Sequence, residues 1–299
     1  MAAARVGLIG LGAAAREIHL PALARHPRAT LVAAADPAPE GRAHAARVAG
    51  SARLYQDAEA MLMAERPDVA IVATPPHTHR DLCLLALRYG AHILCEKPLV
   101  DSLAEADEVI AAAETAGRLV AVNHQYRYLP FFREPARRLR AGAFGRLYYA
   151  QAQQQMLLTP AQEAGWRGEL HRRVLFDFGI HVLDLLSLYF ESDPLAVSAR
   201  TPRVLTGARS DVLVVLRVDY PEERVATVVL NRVSHAPTCY LDLRLECERA
   251  SIHTTLGGGA EACLGWSRER QRPTFRLSLF RGGEAWAEAG GRARRLARA

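Results

Sequence analysis

Short apolar runs alternate with longer amphipathic stretches through roughly the first 120 residues. VGLIG at 6–10 predicts a strand, with a helix following to about His26. LVAAAD at 31–36 predicts a second strand, with a helix through Val48. A short strand near Leu54, a helix from Asp57 to Glu65 and a buried strand DVAIVAT at 68–74 come next. HRDLCLLALRYG predicts a helix ending at Gly90, and AHILCEKP another strand. Asp101 or Ser102 then caps a helix to Ala116, and RLVAVN closes the series. Strands alternating with helices of this length predict a doubly wound parallel sheet. Their lack of polar alternation agrees, since such a sheet is covered on both faces.

The period changes after Asn123. A helix is expected around 130–142, a strand over GRLYYAQAQQQMLL, and a helix over VLFDFGIHVLDLLSLYF. From about residue 195 the alternation drops to two, in DVLVVLRVDY, RVATVVLNRV, YLDLRLEC and TFRLSLF. These predict an open, mostly antiparallel sheet in an α+β domain. The expected division is a Rossmann-type doubly wound domain over 1–122 and an α+β domain over 123–299. GGGAEACLG near 257 is expected to be a loop, and the tail GGRARRLARA a frayed, solvated end.

Composition adds three constraints. No apolar run reaches the ~18 residues that cross a bilayer, and MAAARVGLIGLG runs straight into a strand without a secretory leader pattern. The five cysteines form no C-x-x-C pair, so neither a disulfide framework nor a metal cluster is expected, and a cytoplasmic setting fits. The net charge of +6 comes from scattered arginines, which argues against nucleic acid as a partner. Of the 38 lysines and arginines, 37 are arginine, and the one lysine is Lys97. Arginine replaces lysine cheaply on a surface. It does not replace a lysine whose ammonium must act as a compact charge or lose a proton. Lys97 is therefore a candidate for chemistry, against the plain alternative that one lysine survives by chance.

Three motifs carry the candidate sites. Gly10-Leu11-Gly12-Ala13-Ala14-Ala15 follows the first strand and opens a helix. In that context the glycines suit a tight turn and the approach of a pyrophosphate to the backbone. Asp36 ends the second strand, where an acid accepts a hydrogen bond from the ribose 2′-hydroxyl. No arginine for a 2′-phosphate follows until Arg42, which favours NAD, with NADP as the alternative. Thr74 and Glu96-Lys97-Pro98 end later strands, so they are expected at the same carboxyl edge of the sheet. Asp177, His181 and Asp184 are spaced i, i+4, i+7 and share one helix face. A histidine with a carboxylate one turn away is a proton acceptor of fixed tautomer. The other reading makes Asp177 an N-cap and His181 a core histidine. Residues seven apart on a helix lie about 10.5 Å apart along its axis, so Asp177 and Asp184 do not share an ion, and no metal is expected.

GLGAAA, Asp36, ATPPHTH at 73–79, CEKP at 95–98 and D-x-x-x-H-x-x-D at 177–184 occur together in order. In this the chain resembles the glucose–fructose oxidoreductase / inositol dehydrogenase / MocA family. The resemblance covers about residues 5–190, and beyond them only the pattern of the strands. It implies an NAD(P)-dependent oxidoreductase acting on a sugar, sugar nucleotide, cyclitol or similar polyhydroxylated molecule. Lys97, His181 and Asp177 would be catalytic, with Asp177 orienting His181. Gly10, Leu11, Gly12, Ala13, Ala14, Asp36, Thr74, Pro75, His79, Glu96 and Lys97 would bind the cofactor. Lys97, Asn123, Tyr126, Arg127, Trp166, Arg167 and His181 would bind substrate, and Pro98 would follow a cis peptide. The family's pattern also implies a homodimer or homotetramer built through the C-terminal sheet. Two alternatives remain: an NAD-retaining enzyme without net redox, such as a glycosidase or epimerase, and a non-catalytic dinucleotide sensor. His171-Arg172-Arg173 stands where the family has a glycine-rich stretch, and the family's final helical segment is not evident after Phe280.

Overall fold

The computed structural model describes residues 2–158, 166, 170, 172–205, 210–235, 239–267 and 272–299, with the side chains of 258–281 excepted. The chain forms two compact units, Met1–His124 and Gln125–Ala299.

The first unit holds strands β1 (Ala4–Ile9), β2 (Ala29–Ala35), β3 (Arg53–Tyr55), β4 (Val69–Val72), β5 (His92–Cys95) and β6 (Val120–Val122). They form one sheet in the order β3-β2-β1-β4-β5-β6, with every pairing parallel. Helices α1 (Leu20–Leu23), α2 (Pro39–Val48), α3 (Ala58–Glu65), α4 (His79–Arg88) and α5 (Leu103–Ala116) make the crossovers. Alternate residues of β1 go to opposite cores. Val6 and Leu8 join Leu20 and Ala45 on one face, while Ile9 joins Met61, Leu62 and Val109 on the other. Local chemistry sets the helix starts. Asp57 accepts from the Ala60 amide at 2.7 Å, and Ser102, rather than Asp101, accepts from Glu105 at 3.3 Å.

In the second unit, α6 (Pro130–Arg140) and α7 (Ile180–Phe190) accompany an eight-stranded sheet. Its strands are β7 (Leu147–Gln155), β8 (Ala196–Arg200), β9 (Leu213–Tyr220), β10 (Arg224–Asn231), β11 (Leu241–Cys247), β12 (Ser251–Ser267), β13 (Arg272–Ala289) and β14 (Arg292–Arg298). The order is β14-β13-β12-β11-β7-β10-β9-β8, and only β7 and β10 pair in parallel. Leu216, Val228, Leu243 and Ile252 from the strands close a core with Phe131, Phe132, Leu185 and Leu186 from the helices.

Two expectations are corrected here. GGGAEACLG is not a loop: β12 runs through it, and register shifts between Leu256 and Ala260 absorb the extra residues as bulges against β13. The arginine-rich tail is not frayed: residues 292–298 are β14, paired with β13. Gly290 and Gly291 have φ of +54° and +74° and join Ala289 to its partner Arg292. That is a two-residue hairpin with both central residues left-handed, a turn whose twist matches the strands it connects.

Candidate functional site

At the carboxyl edge of the first sheet, β1 ends in Gly10 with φ +91°. A Cβ there would stand 2.6 Å from the Ala73 carbonyl oxygen and 2.7 Å from Thr74 Cγ2, so only glycine makes this turn. Around Gly12 nothing lies within 4 Å of the Cβ position, and Gly12 and Ala13 are exposed. Ala14 and the buried Ala15 continue a helical run over 13–23, whose 15–19 stretch is a π-turn. This is an open backbone cradle leading into a helix N-terminus, which suits a phosphate group.

The Asp36 carboxylate holds that turn in place. Oδ2 accepts from the Leu11 amide at 2.6 Å and Oδ1 from the Ala38 amide at 2.8 Å. Each oxygen keeps a second acceptor position, which is what a ribose hydroxyl requires. Arg42 lies closer than its spacing suggests: its Nη1 donates to the carbonyls of Asp36 at 2.6 Å and Pro37 at 2.8 Å.

The loops after β4 and β5 are tied together by His79. It is fully buried, with Nε2 2.8 Å from the Thr74 carbonyl and Nδ1 2.8 Å from the Pro98 carbonyl. With no exposed surface and both ring nitrogens engaged by backbone carbonyls, His79 braces these loops; the expectation that it touches the cofactor does not fit this arrangement. Thr78 Oγ1 also lies 2.7 Å from Thr74 Oγ1 and donates to the Pro75 carbonyl at 2.8 Å.

Glu96 is buried at 7% exposure. Its Oε1 accepts from Asn123 Nδ2 at 2.7 Å and lies 2.8 Å from His19 Nε2, while Oε2 accepts from the Lys97 amide at 3.3 Å. Burial pushes its pKa up, but the contacts with His19 and Asn123 outweigh burial and hold it below the usual carboxylate range. Glu96 is thus an ionised hub. Asn123, expected at the substrate, gives one of its two amide N–H donors to that hub. Lys97 is half-buried, and its peptide bond to Pro98 is cis.

In the second unit, a π-turn over Val174–Gly179 runs without a break into α7. The amides of Val174 and Leu175 donate to the Asp211 carboxylate at 2.8 and 3.2 Å, so Asp211 and not Asp177 caps this helical rod. Asp177 lies inside the π-turn, 6% exposed, and His181 follows at 5%. Gly179 brings the rod onto the sheet, since a Cβ there would stand 2.7 Å from Leu230 Cδ1 on β10. The Tyr126 ring stacks on the His181 ring at 4.2 Å and 15°. Burial, reinforced by Tyr240, pushes the Tyr126 phenol far above its usual range, so it stays neutral. Arg127 Nε donates to both oxygens of Asp184, at 2.8 and 2.7 Å. Of the three residues on the shared face, Asp184 therefore serves Arg127. Trp166 is half-buried, whereas Arg167 and His171 lie outside the described residues. Arg172 is exposed, and Arg173 is buried with its Cζ 5.9 Å from the Phe178 ring centre.

Sequence reading missed His19, Gln154, Arg232 and Tyr240. A buried histidine five residues into a helix leaves no distinctive trace. Arg232 did leave one: it continues the inward alternation of Ala226, Val228 and Leu230.

Comparison with known proteins agrees with this geometry. Residues 4–124 match the family model described as "Oxidoreductase family, NAD-binding Rossmann fold", and residues 132–258 match the "GFO/IDH/MocA C-terminal domain". D-apiose dehydrogenase of Paraburkholderia graminis is 34% identical over 70% of this chain, a match that spans 56% of that protein. Inositol 2-dehydrogenase 4 of Saccharopolyspora erythraea is 28% identical over 95% of this chain and 85% of its own length. Among solved structures, aldose-aldose oxidoreductase from Caulobacter crescentus superposes with a TM-score of 0.80 at 20% identity, covering 98% of this chain and 83% of that one. Two adjoining domain matches, and relatives along nearly the whole sequence, show that this chain belongs to the Gfo/Idh/MocA family of NAD-binding oxidoreductases.

Proposed function

We propose that the chain transfers a hydride between nicotinamide and a carbinol or carbonyl carbon of a polyhydroxylated small molecule, such as a sugar, sugar nucleotide or cyclitol. NAD, when bound, supplies the hydride acceptor or donor at C4 of its nicotinamide. Gly10, Leu11, Gly12, Ala13 and Ala14 would hold its pyrophosphate, Asp36 its ribose, and Thr74 and Pro75 would border it. The observation that carries the reading is the ionised Glu96 hub, which fixes the backbone of the chain's one lysine at the sheet edge that bears the glycine turn. On this reading Lys97 polarises the substrate oxygen. His181 takes the hydroxyl proton during oxidation, with Asp177 orienting it and Tyr126 holding its ring. Arg127, Trp166 and Arg167 would border the substrate. The names of the relatives, which point to apiose and inositol, support the substrate class.

Two finer points belong to the same proposal. Buried free thiols at Cys83, Cys95 and Cys247 suit a reducing cytoplasm, and no helix among the described residues is long and apolar enough to cross a membrane. Copies of the chain would assemble as a homodimer or homotetramer through the face of the second sheet that carries Arg244 and His253.

The test is a turnover screen of polyols and aldoses with NAD, alongside NADH binding read by nicotinamide fluorescence. Lys97→Ala is expected to lower kcat/KM by about 10²–10⁴-fold with NADH affinity nearly unchanged. Full turnover in that variant would remove Lys97 from the mechanism. A folded protein that binds neither NADH nor NADPH would end the enzyme reading.

A further inference from the structure

The inward face of the second sheet changes character at one end. On β10, Ala226, Val228 and Leu230 point into the core, and the same alternation turns Arg232 inward just beyond the strand, at 1% exposure. On β7 the corresponding steps are Ala150, Ala152 and Gln154, and Gln154 is the register partner of both Leu230 and Leu241. Gln154 Nε2 donates to the Tyr240 hydroxyl at 3.1 Å. A sheet face that is apolar along its length thus ends in a buried polar cluster.

Arg232 is the unusual member. Its Cζ lies 3.2 Å from the centre of the Phe178 ring and 5.7 Å from that of Tyr240. Its Nε, Nη1 and Nη2 are buried, and among the described residues none has a hydrogen-bond partner. Stacking on an aromatic face satisfies the charge through the ring quadrupole but leaves the in-plane N–H groups unused. Burying such donors without acceptors is unfavourable, so the site calls for a bound partner that supplies acceptors. The position is not remote from the chemistry. Phe178 stands between Asp177 and Gly179 in the π-turn, and His181 follows in the same helical rod. The neighbouring Tyr126, Phe178 and Tyr240 are each partly exposed, so the cluster lies close beneath the surface of its unit.

We propose that Arg232 is a specificity residue that binds a carboxylate on the substrate, so that the polyhydroxylated molecule this enzyme acts on is a sugar acid. This rests on the hydride-transfer reading above. A guanidinium stacked on a ring keeps its N–H groups in one plane, and a carboxylate presents two oxygens in one plane at matching separation. Lysine could not make that contact at a stacked site, and a neutral hydroxyl would add no negative charge to the Asp177 carboxylate and Tyr240 hydroxyl that already face the guanidinium.

The experiment compares matched substrates on the full chain with NAD. Hexuronates and aldonates are set against the corresponding neutral aldoses and polyols, with hexose 6-phosphates as a third arm. Thermal stabilisation by each compound is recorded in parallel. The expected result is at least a tenfold preference in kcat/KM for the carboxylates and a saturable rise in Tm with them. Arg232→Met is expected to bring that preference close to one and remove the rise. Arg232→Lys is the second variant, expected to fall well short of wild type, in case the methionine variant does not fold. Neutral sugars that match the acids in wild-type turnover and Tm would overturn the proposal, as would a preference for the phosphates alone. Carboxylate stabilisation that depends on Arg232, without turnover of any compound, would keep this site and remove the hydride-transfer reading.

Discussion

The two units hold their polar groups by different means. In the first unit the two carboxylates at the sheet edge have hydrogen-bond partners at 2.6–3.3 Å: Asp36 on the Leu11 and Ala38 amides, and Glu96 on Asn123, His19 and the Lys97 amide. In the second unit, ring stacking is added to such bonds. His181 lies flat on Tyr126, and Arg232 lies on Phe178. Hydrogen bonds fix direction and suit a ligand of constant shape such as a dinucleotide. Ring stacking fixes a plane while leaving in-plane donors and acceptors available, which suits a surface that must read a particular substrate. A family with one cofactor and many substrates needs both.

Three substitutions test that contrast, beginning with the largest effect. His181→Asn keeps a polar group on Tyr126 but removes the proposed proton acceptor. We expect kcat to fall by about 10²–10⁴-fold while NADH affinity holds. An unchanged rate and pH profile would leave His181 as a core histidine stacked on a tyrosine.

Glu96→Gln comes next and concerns stability. Because His19 and Asn123 hold the Glu96 pKa below its ordinary value of about 4.3, the ionised side chain stabilises the fold above that pH. That contribution is lost as the pH falls through the lowered folded-state value. The variant should therefore be less stable than wild type at pH 7 by about 1–3 kcal/mol, and the gap should close in acid. Denaturant melts at pH 7 and at pH 3 measure it; a gap that widens in acid would contradict an ionised hub.

The smallest expected effect is at Gly179. A methyl group there meets Leu230 Cδ1, so Gly179→Ala should cost about 1 kcal/mol by overpacking. Adding Leu230→Val should return part of it in a double-mutant cycle. Strictly additive losses would mean that the close approach of the rod to β10 is not what requires the glycine.

The contrast also explains what was legible beforehand. The first unit reads well because its function lies in local motifs. A glycine turn after a strand, an acid at the end of the next strand and a Glu-Lys-Pro strand end are each consecutive residues, and the parallel sheet then gathers them at one edge. In the second unit the helix carrying Asp177 and His181 and most strands were visible by period. Arg232 follows the same period, but its role was not legible, because a single inward arginine past a strand end gains meaning only from Phe178, 54 positions earlier. The partner of Asp184 was not legible for the same reason: Arg127 comes from a separate turn, 57 positions earlier. The GGGAEACLG segment and the tail were misjudged because glycines read as breaks when they are bulges and a hairpin within a paired ribbon.

The sequence by itself determined the alternation of elements, the glycine turn, and the strand-end acid and lysine, and the resemblance of these motifs pointed to the family. The elements and motifs follow from short-range sterics, hydrophobic period and the surviving lysine in a chain otherwise supplied with arginine. Only the tertiary structure decided that His79 is a brace, that Glu96 is shared by His19 and Asn123, that Asp211 caps the helix bearing His181, and that Arg232 is buried on a ring. Apart from the bond between His79 and Thr74, these contacts join groups 19 to 77 positions apart. Hydrogen bonds and stacking act over a few ångströms, and no period along a chain encodes which distant residues will come within that reach.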